Sequence, residues 1–125
     1  MASLEITADN FNDVLENNPI VFLDFWAAWC GPCRNFAPTY EAASEANPDI
    51  VFGKIDTEAQ QELAATFQIR SIPTIAVIRE GIMVFRESGA LPANALNQVI
   101  EGVRGLDMEQ VRAEIAAQQA GQAEA

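Results

Sequence analysis

The residues most able to do chemistry are Cys30 and Cys33, the only two cysteines of the chain, separated by Gly31 and Pro32. Two thiols at this spacing can close a small ring and open it again, so the pair reads as a redox motif. A structural cross-link is the competing reading. In the chain-entropy view a loop of about four residues contributes only roughly 1.9 kcal/mol, against about 3 for a fifteen-residue loop, which makes this a poor staple. In exchange, a thiolate on Cys30 attacks a partner's disulfide, and Cys33 attacks the resulting mixed disulfide to release the reduced partner. The attacking sulfur must be ionised. Cys33 to about Ala46 has helical composition, with Phe36, Tyr40 and Ala43 at helical spacing. Cys30 then falls near a helix N-terminus, where unpaired N–H groups and the helix dipole lower a thiol pKa from about 8.5. This predicts Cys30 as the nucleophile and Cys33, one turn inside, as the more buried, resolving thiol.

Asp24 stands in the apolar run Phe22–Trp26. A carboxylate there is costly to desolvate unless something compensates it. Burial raises its pKa, so near neutrality it could take the proton from Cys33 when that thiol must attack. The alternative is a buried acid satisfied by hydrogen bonds alone. Lys54, the only lysine, lies in another apolar run. It is either a buried ammonium opposite Asp24, bringing that pKa down, or an edge lysine with its amine in water. Trp26 is expected in the core and Trp29, next to Cys30, on the surface. Ile72-Pro73 precedes a strand, but only about 5–6% of such bonds are cis, so these residues alone do not decide its isomer.

The elements that must position these groups follow from pattern. Ser3–Ile6 suits a short edge strand, and Thr7 an N-cap for a helix carrying Phe11, Val14 and Leu15 on one face, ended by Asn17, Asn18 and Pro19. Ile20–Trp26 is nearly all apolar, the mark of a central strand covered on both faces. Pro38 should kink the helix after the cysteines, and Asn47, Pro48 and Asp49 break it. Ile50–Ile55 is a second apolar strand, and Glu58–Phe67 a helix with Leu63, Ala64 and Phe67 inward. Alternating strands and helices imply parallel pairing. Thr74–Arg79 and Ile82–Glu87, separated only by Glu80 and Gly81, read as an antiparallel hairpin. Pro92 opens a helix to about Val103 with Leu96, Val99, Ile100 and Val103 facing in, and Gly105 stops it.

The fold expected is α/β, a central mixed five-stranded sheet flanked by helices, with an extra C-terminal helix. Residues 1–105 would form the domain and residues 106–125 a helical extension capped by Asp107. Its thin stripe of Met108, Val111 and Ile115 suits either a solvated, partly frayed tail or a dimer or partner contact.

At 125 residues the chain fits one domain and buries roughly two-thirds of its unfolded surface. It is 50% hydrophobic and 20% charged, which excludes a disordered chain. A net charge of −11 opposes binding to nucleic acid and to anionic membranes. Histidine is absent, excluding Ser-His and Cys-His catalysis and His-based metal sites, and two cysteines cannot complete a four-thiolate site, so no metal is expected. The start, MASLEITADN, lacks the basic end and apolar run of an export signal. No stretch reaches the ~18 apolar residues that span a membrane. A cytoplasmic location follows, where thiols stay reduced and a CxxC pair is catalytic more often than structural.

The segments WCGPC at Trp29–Cys33, FLDFWA at Phe22–Ala27, IRSIPT at Ile69–Thr74 and SGA at Ser88–Ala90 together resemble the thioredoxin family, in order and spacing, over about residues 3 to 105. The resemblance implies a thioredoxin fold and a protein-disulfide reductase with Cys30 as nucleophile, Cys33 as resolving thiol, Asp24 as buried proton acceptor and Lys54 as its partner. It implies that Pro73 is cis and faces the disulfide, with the backbone near Ile72 binding an extended substrate strand. Trp29, Gly31, Pro32, Ile72, Gly89 and Ala90 would form a flat apolar contact surface. Ser88 departs from the family, which usually has an apolar residue at this contact position. The implied partners are disulfide-containing proteins and a thioredoxin reductase; the chain itself would need no cofactor and act as a monomer in cell redox homeostasis. The rivals are an oxidant or isomerase, against which Gly31-Pro32 resembles the reducing members, and a docking module with a secondary dithiol.

Overall fold

Seven apolar or nearly apolar residues in a row, interrupted only by Asp24, make β2 (Ile20–Trp26) the spine of the molecule. In the computed structural model, which describes residues 2–124, β2 is buried along its length except at Trp26. It lies between β3 (Val51–Asp56), parallel to it, and β4 (Thr74–Arg79), antiparallel. With β1 (Leu4–Glu5) and β5 (Ile82–Ser88) outermost, the sheet has five strands in the order β1-β3-β2-β4-β5. The remaining elements are α1 (Phe11–Asn17), α2 (Gly31–Ala46), α3 (Gln61–Thr66), α4 (Ala93–Arg104) and α5 (Met108–Glu124).

Strand alternation sends the two halves of each strand's side chains to opposite faces. On one face Phe22, Phe52, Ile75 and Val77 pack against Phe36 and Tyr40 of α2 and Leu96, Ile100 and Val103 of α4. On the other, Val21, Leu23, Phe25 and Ile55 pack against Phe11 and Val14 of α1, Leu63 of α3 and Phe67 just past its end. Asp24 and Lys54 have the parity of Phe22 and Phe52, so both belong to the α2 face. This is the mixed sheet covered on both sides that the apolar run of β2 predicts.

The hairpin between β4 and β5 turns on Glu80 (φ 52°) and Gly81 (φ 80°), two consecutive left-handed residues as in a type I′ turn. Pro38 lies inside α2, which continues through it. Two helix starts differ from expectation. Thr7 is not the N-cap of α1: Asn10 Oδ1 accepts the Thr7 N–H at 2.7 Å, and the Thr7 carbonyl accepts the Phe11 N–H at 3.0 Å, so residues 7–10 form a turn and α1 begins at Phe11. α3 begins at Gln61 and not Glu58, because Asp56 Oδ1 accepts the N–H groups of Glu58 (2.9 Å) and Ala59 (3.3 Å) and holds a turn first.

Asp107 caps α5 as expected, accepting from the N–H groups of Glu109 and Gln110. The helix runs to Glu124, and its stripe turns inward: Met108 is buried, while Val111 and Ile115 line a groove with Ile82, Met83 and Val84 of β5. Arg79 ties this end together, its Nη1 donating to the carbonyls of Val103 (2.7 Å), Leu106 (2.9 Å) and Arg104 (3.4 Å) at the end of α4. No helix among the described residues is long and apolar enough to cross a membrane.

Candidate active site

β2 ends at Trp26, and a short turn, with the Cys30 N–H donating to the Ala27 carbonyl at 3.1 Å, brings the chain to α2. Cys30 is the N-cap of α2, extended at φ −86° and ψ 111°, and Pro32 occupies its first turn, where a missing N–H costs nothing. The two cysteines form a disulfide, with Cα atoms 5.3 Å apart. Cys30 Sγ accepts the Cys33 backbone N–H at 3.2 Å, the bond by which an N-cap side chain satisfies an orphan donor. That N–H and the positive end of the sixteen-residue helix would both stabilise a thiolate on Cys30 in the reduced form. The expected contrast in burial is absent: Cys30 is 4% and Cys33 3% exposed, so position in the helix, not accessibility of the residue as a whole, distinguishes them.

The Ile72-Pro73 bond is cis, as the family resemblance implies. Cys30 Sγ lies 3.8 Å from the Ile72 carbonyl oxygen, so the loop before β4 packs against the disulfide. Ala27, Cys30 and Cys33 form a small buried cluster against which Trp26 and Ile72 pack. Gly89, at φ 102°, holds a left-handed conformation that favours glycine, and its N–H donates to the Pro73 carbonyl at 2.8 Å. Gly89 and Ala90 are thereby placed beside the proline loop, both exposed. Ser88 shares that edge, its Oγ 3.4 Å from Thr74 Oγ1.

Asp24 is 1% exposed, and neither carboxyl oxygen has a hydrogen-bond partner among the described residues. Burial raises its pKa to about 7, with the Lys54 charge pulling the other way. An acid satisfied by hydrogen bonds is therefore not what the strand contains. Lys54 is the register neighbour of Asp24 across β2 and β3, but it is only half-buried, and its Nζ sits 4.8 Å from the centroid of the Trp26 ring. Of the two readings open for Lys54, a half-buried lysine near the rim fits better than a fully buried ammonium, and its charge still acts on Asp24. Trp26, expected in the core, is half-buried because it carries that cation at the rim.

Trp29 is 67% exposed, on the surface as expected. Its Nε1 donates to Glu58 Oε1 at 2.8 Å, which fixes the indole beside Cys30. Glu58 carried no signal in the sequence, being 29 residues away from its partner. Arg34 was likewise missed: Nη1 donates to the Ala28 carbonyl at 2.8 Å, and Nη2 lies 3.9 Å from where a Cβ on Gly31 would stand. Pro32 is exposed and Gly31 half-buried.

A CxxC disulfide capping a helix and lying against the loop of a cis-proline has the form of a thiol–disulfide oxidoreductase site. Comparison with known proteins agrees. The thioredoxin family model matches residues 2–102. A Streptomyces coelicolor protein described as thioredoxin 2 is 55% identical over 119 residues, covering 95% of this chain and 89% of that protein. A thioredoxin of Mycobacterium tuberculosis is 39% identical over 104 residues, 82% of this chain and 90% of that one. Among solved structures, a mutant thioredoxin from Halobacterium salinarum superposes with a TM-score of 0.77 at 32% identity, covering 86% of this chain and 98% of its own. The chain belongs to the thioredoxin family.

Proposed function

We propose that this protein reduces disulfides in other proteins and is recycled by a thioredoxin reductase, so maintaining the cytoplasmic thiol pool. The reduced Cys30 thiolate attacks one sulfur of a substrate disulfide; a Cys30–substrate disulfide forms, and the other substrate sulfur leaves as a thiolate and takes a proton. Cys33 then loses its proton to Asp24 and attacks Cys30 Sγ, forming the Cys30–Cys33 disulfide and releasing the second substrate thiol. Two electrons pass from the pair to the substrate. Lys54 tunes Asp24 through its charge, and no cofactor enters the exchange. The substrate backbone lies extended along Ile72 and Pro73, against Trp29, Gly31, Pro32, Gly89 and Ala90. Residues 1–105 are the catalytic domain and residues 106–125 an extension of it, and the protein works as a monomer.

The observation that carries this reading is the Cys33 N–H donating to Cys30 Sγ at the start of α2, on the sheet face that also holds Asp24, whose carboxyl has no hydrogen-bond partner among the described residues. The test is insulin reduction, followed by turbidity, with NADPH and a bacterial thioredoxin reductase as the electron supply. Turnover that disappears in Cys30→Ser supports the reading. No insulin reduction by the wild-type protein, even when it is pre-reduced with dithiothreitol, would overturn it.

A further inference from the structure

The chain carries 18 acidic and 7 basic residues, so the placement of its few cations is informative. Arg79, Arg104 and Arg112 are in ion pairs with Glu80 and Asp49 at the end of the sheet away from the disulfide. Arg86 donates to the Phe67 and Gln68 carbonyls, and Lys54 rests on the Trp26 ring. Arg34 is held by the Ala28 carbonyl beside the CGPC turn. Arg70 is exposed and, among the described residues, has neither a hydrogen bond nor an ion pair.

Arg70 stands two residues before Ile72, on the wall of a groove of about 310 Å³ lined also by Trp29, Ile69, Ser71 and Ile72. The groove shares Ile72 with the cluster around the disulfide and Trp29 with the residue before Cys30. Its apolar lining fits side chains of an extended segment. Glu58, the acid nearest to Trp29, does not line the groove, and its Oε1 is already engaged by the indole N–H.

We propose that this groove selects oxidised protein segments bearing an Asp or Glu within a few residues of the reactive cysteine, with Arg70 receiving the carboxylate. This rests on the disulfide-reductase reading above and names its preferred substrate. A free guanidinium at the groove wall offers a carboxylate two parallel N–H donors. The rest of the surface, at a net charge of −11, repels acidic partners, so an acidic segment gains most by docking where the unpaired cation is. A basic segment is drawn instead to the acidic surface elsewhere and meets like charge at the groove. The pair is solvent-exposed, so the expected discrimination is modest, about three- to fivefold, and it fades with salt.

The test uses the full chain, pre-reduced with dithiothreitol, and three oxidised peptides identical except for Glu, Gln or Lys two residues from the target cysteine. Rates of peptide reduction are measured at low and high salt for wild type, Arg70→Gln and Arg70→Glu, with insulin reduction as the control for intact exchange chemistry. The proposal expects wild type to reduce the Glu peptide about three- to fivefold faster than the Lys peptide. Arg70→Gln should lose the preference, Arg70→Glu should reverse it, and insulin reduction should persist in both. Equal rates on all three peptides with insulin still reduced would overturn the substrate preference alone. A preference unchanged in Arg70→Glu would overturn the role of Arg70. Failure of wild type on insulin would overturn the reductase reading and this proposal with it.

Discussion

Asp24 and Lys54 are register neighbours across β2 and β3, yet the Lys54 ammonium rests 4.8 Å from the centroid of the Trp26 ring and, among the described residues, neither Asp24 oxygen has a hydrogen-bond partner. The strand therefore holds a carboxyl destabilised as an anion by burial and only partly relieved by a nearby charge. Its pKa of about 7, against 3.8 for the ordinary group, is the consequence.

That shift makes stability depend on pH in a fixed direction. Between about pH 4 and pH 7 the folded protein holds a proton on Asp24 that the unfolded chain has released. Stability contributed by this group is present below pH 4 and is lost as pH rises through the folded value near 7. Three pKa units correspond to about 4 kcal/mol, an order-of-magnitude figure. Urea unfolding of the oxidised protein at pH 5 and pH 8.5 should show wild type losing stability over that interval relative to Asp24→Asn. Parallel pH dependences in the two proteins would contradict it.

The same carboxyl should appear in the kinetics. Single-turnover reduction of a substrate by pre-reduced Asp24→Asn should lose about tenfold or more in the resolving step and lose an inflection near pH 7, since a general base supplies about 10²–10⁴-fold at most. In Lys54→Met the Coulombic relief is gone, so the inflection should move above its wild-type position. An unmoved inflection in both variants would show that another group titrates.

Arg79 joins the end of α4 to the sheet through three carbonyls. Arg79→Met leaves those acceptors to compete for water and should cost about 2–3 kcal/mol. Hydrogen exchange should show the loss concentrated in the last turn of α4 and the start of α5, with insulin reduction retained.

Gly53 is required by close approach. A Cβ there would stand 2.5 Å from Ile6 Cγ1 and 3.3 Å from the Phe22 carbonyl oxygen. Gly53→Ala should destabilise by about 1–3 kcal/mol. Combining it with Ile6→Ala should cost less than the sum of the two single changes, because the pair shares one space. Additive costs would show that the Phe22 carbonyl, not Ile6, is the obstacle.

Most of the fold was legible because its signals are local. Seven residues of β2 with one acid mark a central strand, and Glu80-Gly81 between two β-rich runs marks a hairpin. The family motifs added the cis isomer of Ile72-Pro73, which local composition leaves open. What was not legible depends on contacts between residues distant in the chain or on competition for one acceptor. Thr7 loses its cap to a turn closed by Asn10, and Asp56 delays α3 by holding residues 58 and 59 in a turn. Glu58 finds Trp29, Arg79 finds the end of α4, and Lys54 finds Trp26 only once the sheet is assembled. The α5 stripe read as thin because Met108, Val111 and Ile115 suffice to cover an edge strand, not a core.

The two sulfurs divide the exchange between them, and trapping the mixed disulfide separates their roles. Pre-reduced Cys33→Ser and Cys30→Ser proteins are mixed with an oxidised substrate, and covalent adducts are mapped by mass spectrometry of non-reduced peptides. Cys33→Ser should accumulate a stable substrate disulfide on Cys30, whereas Cys30→Ser should trap far less. A stable adduct on Cys33 in Cys30→Ser, formed as fast as the Cys30 adduct, would contradict the assignment of Cys30 at the start of α2 as the nucleophile.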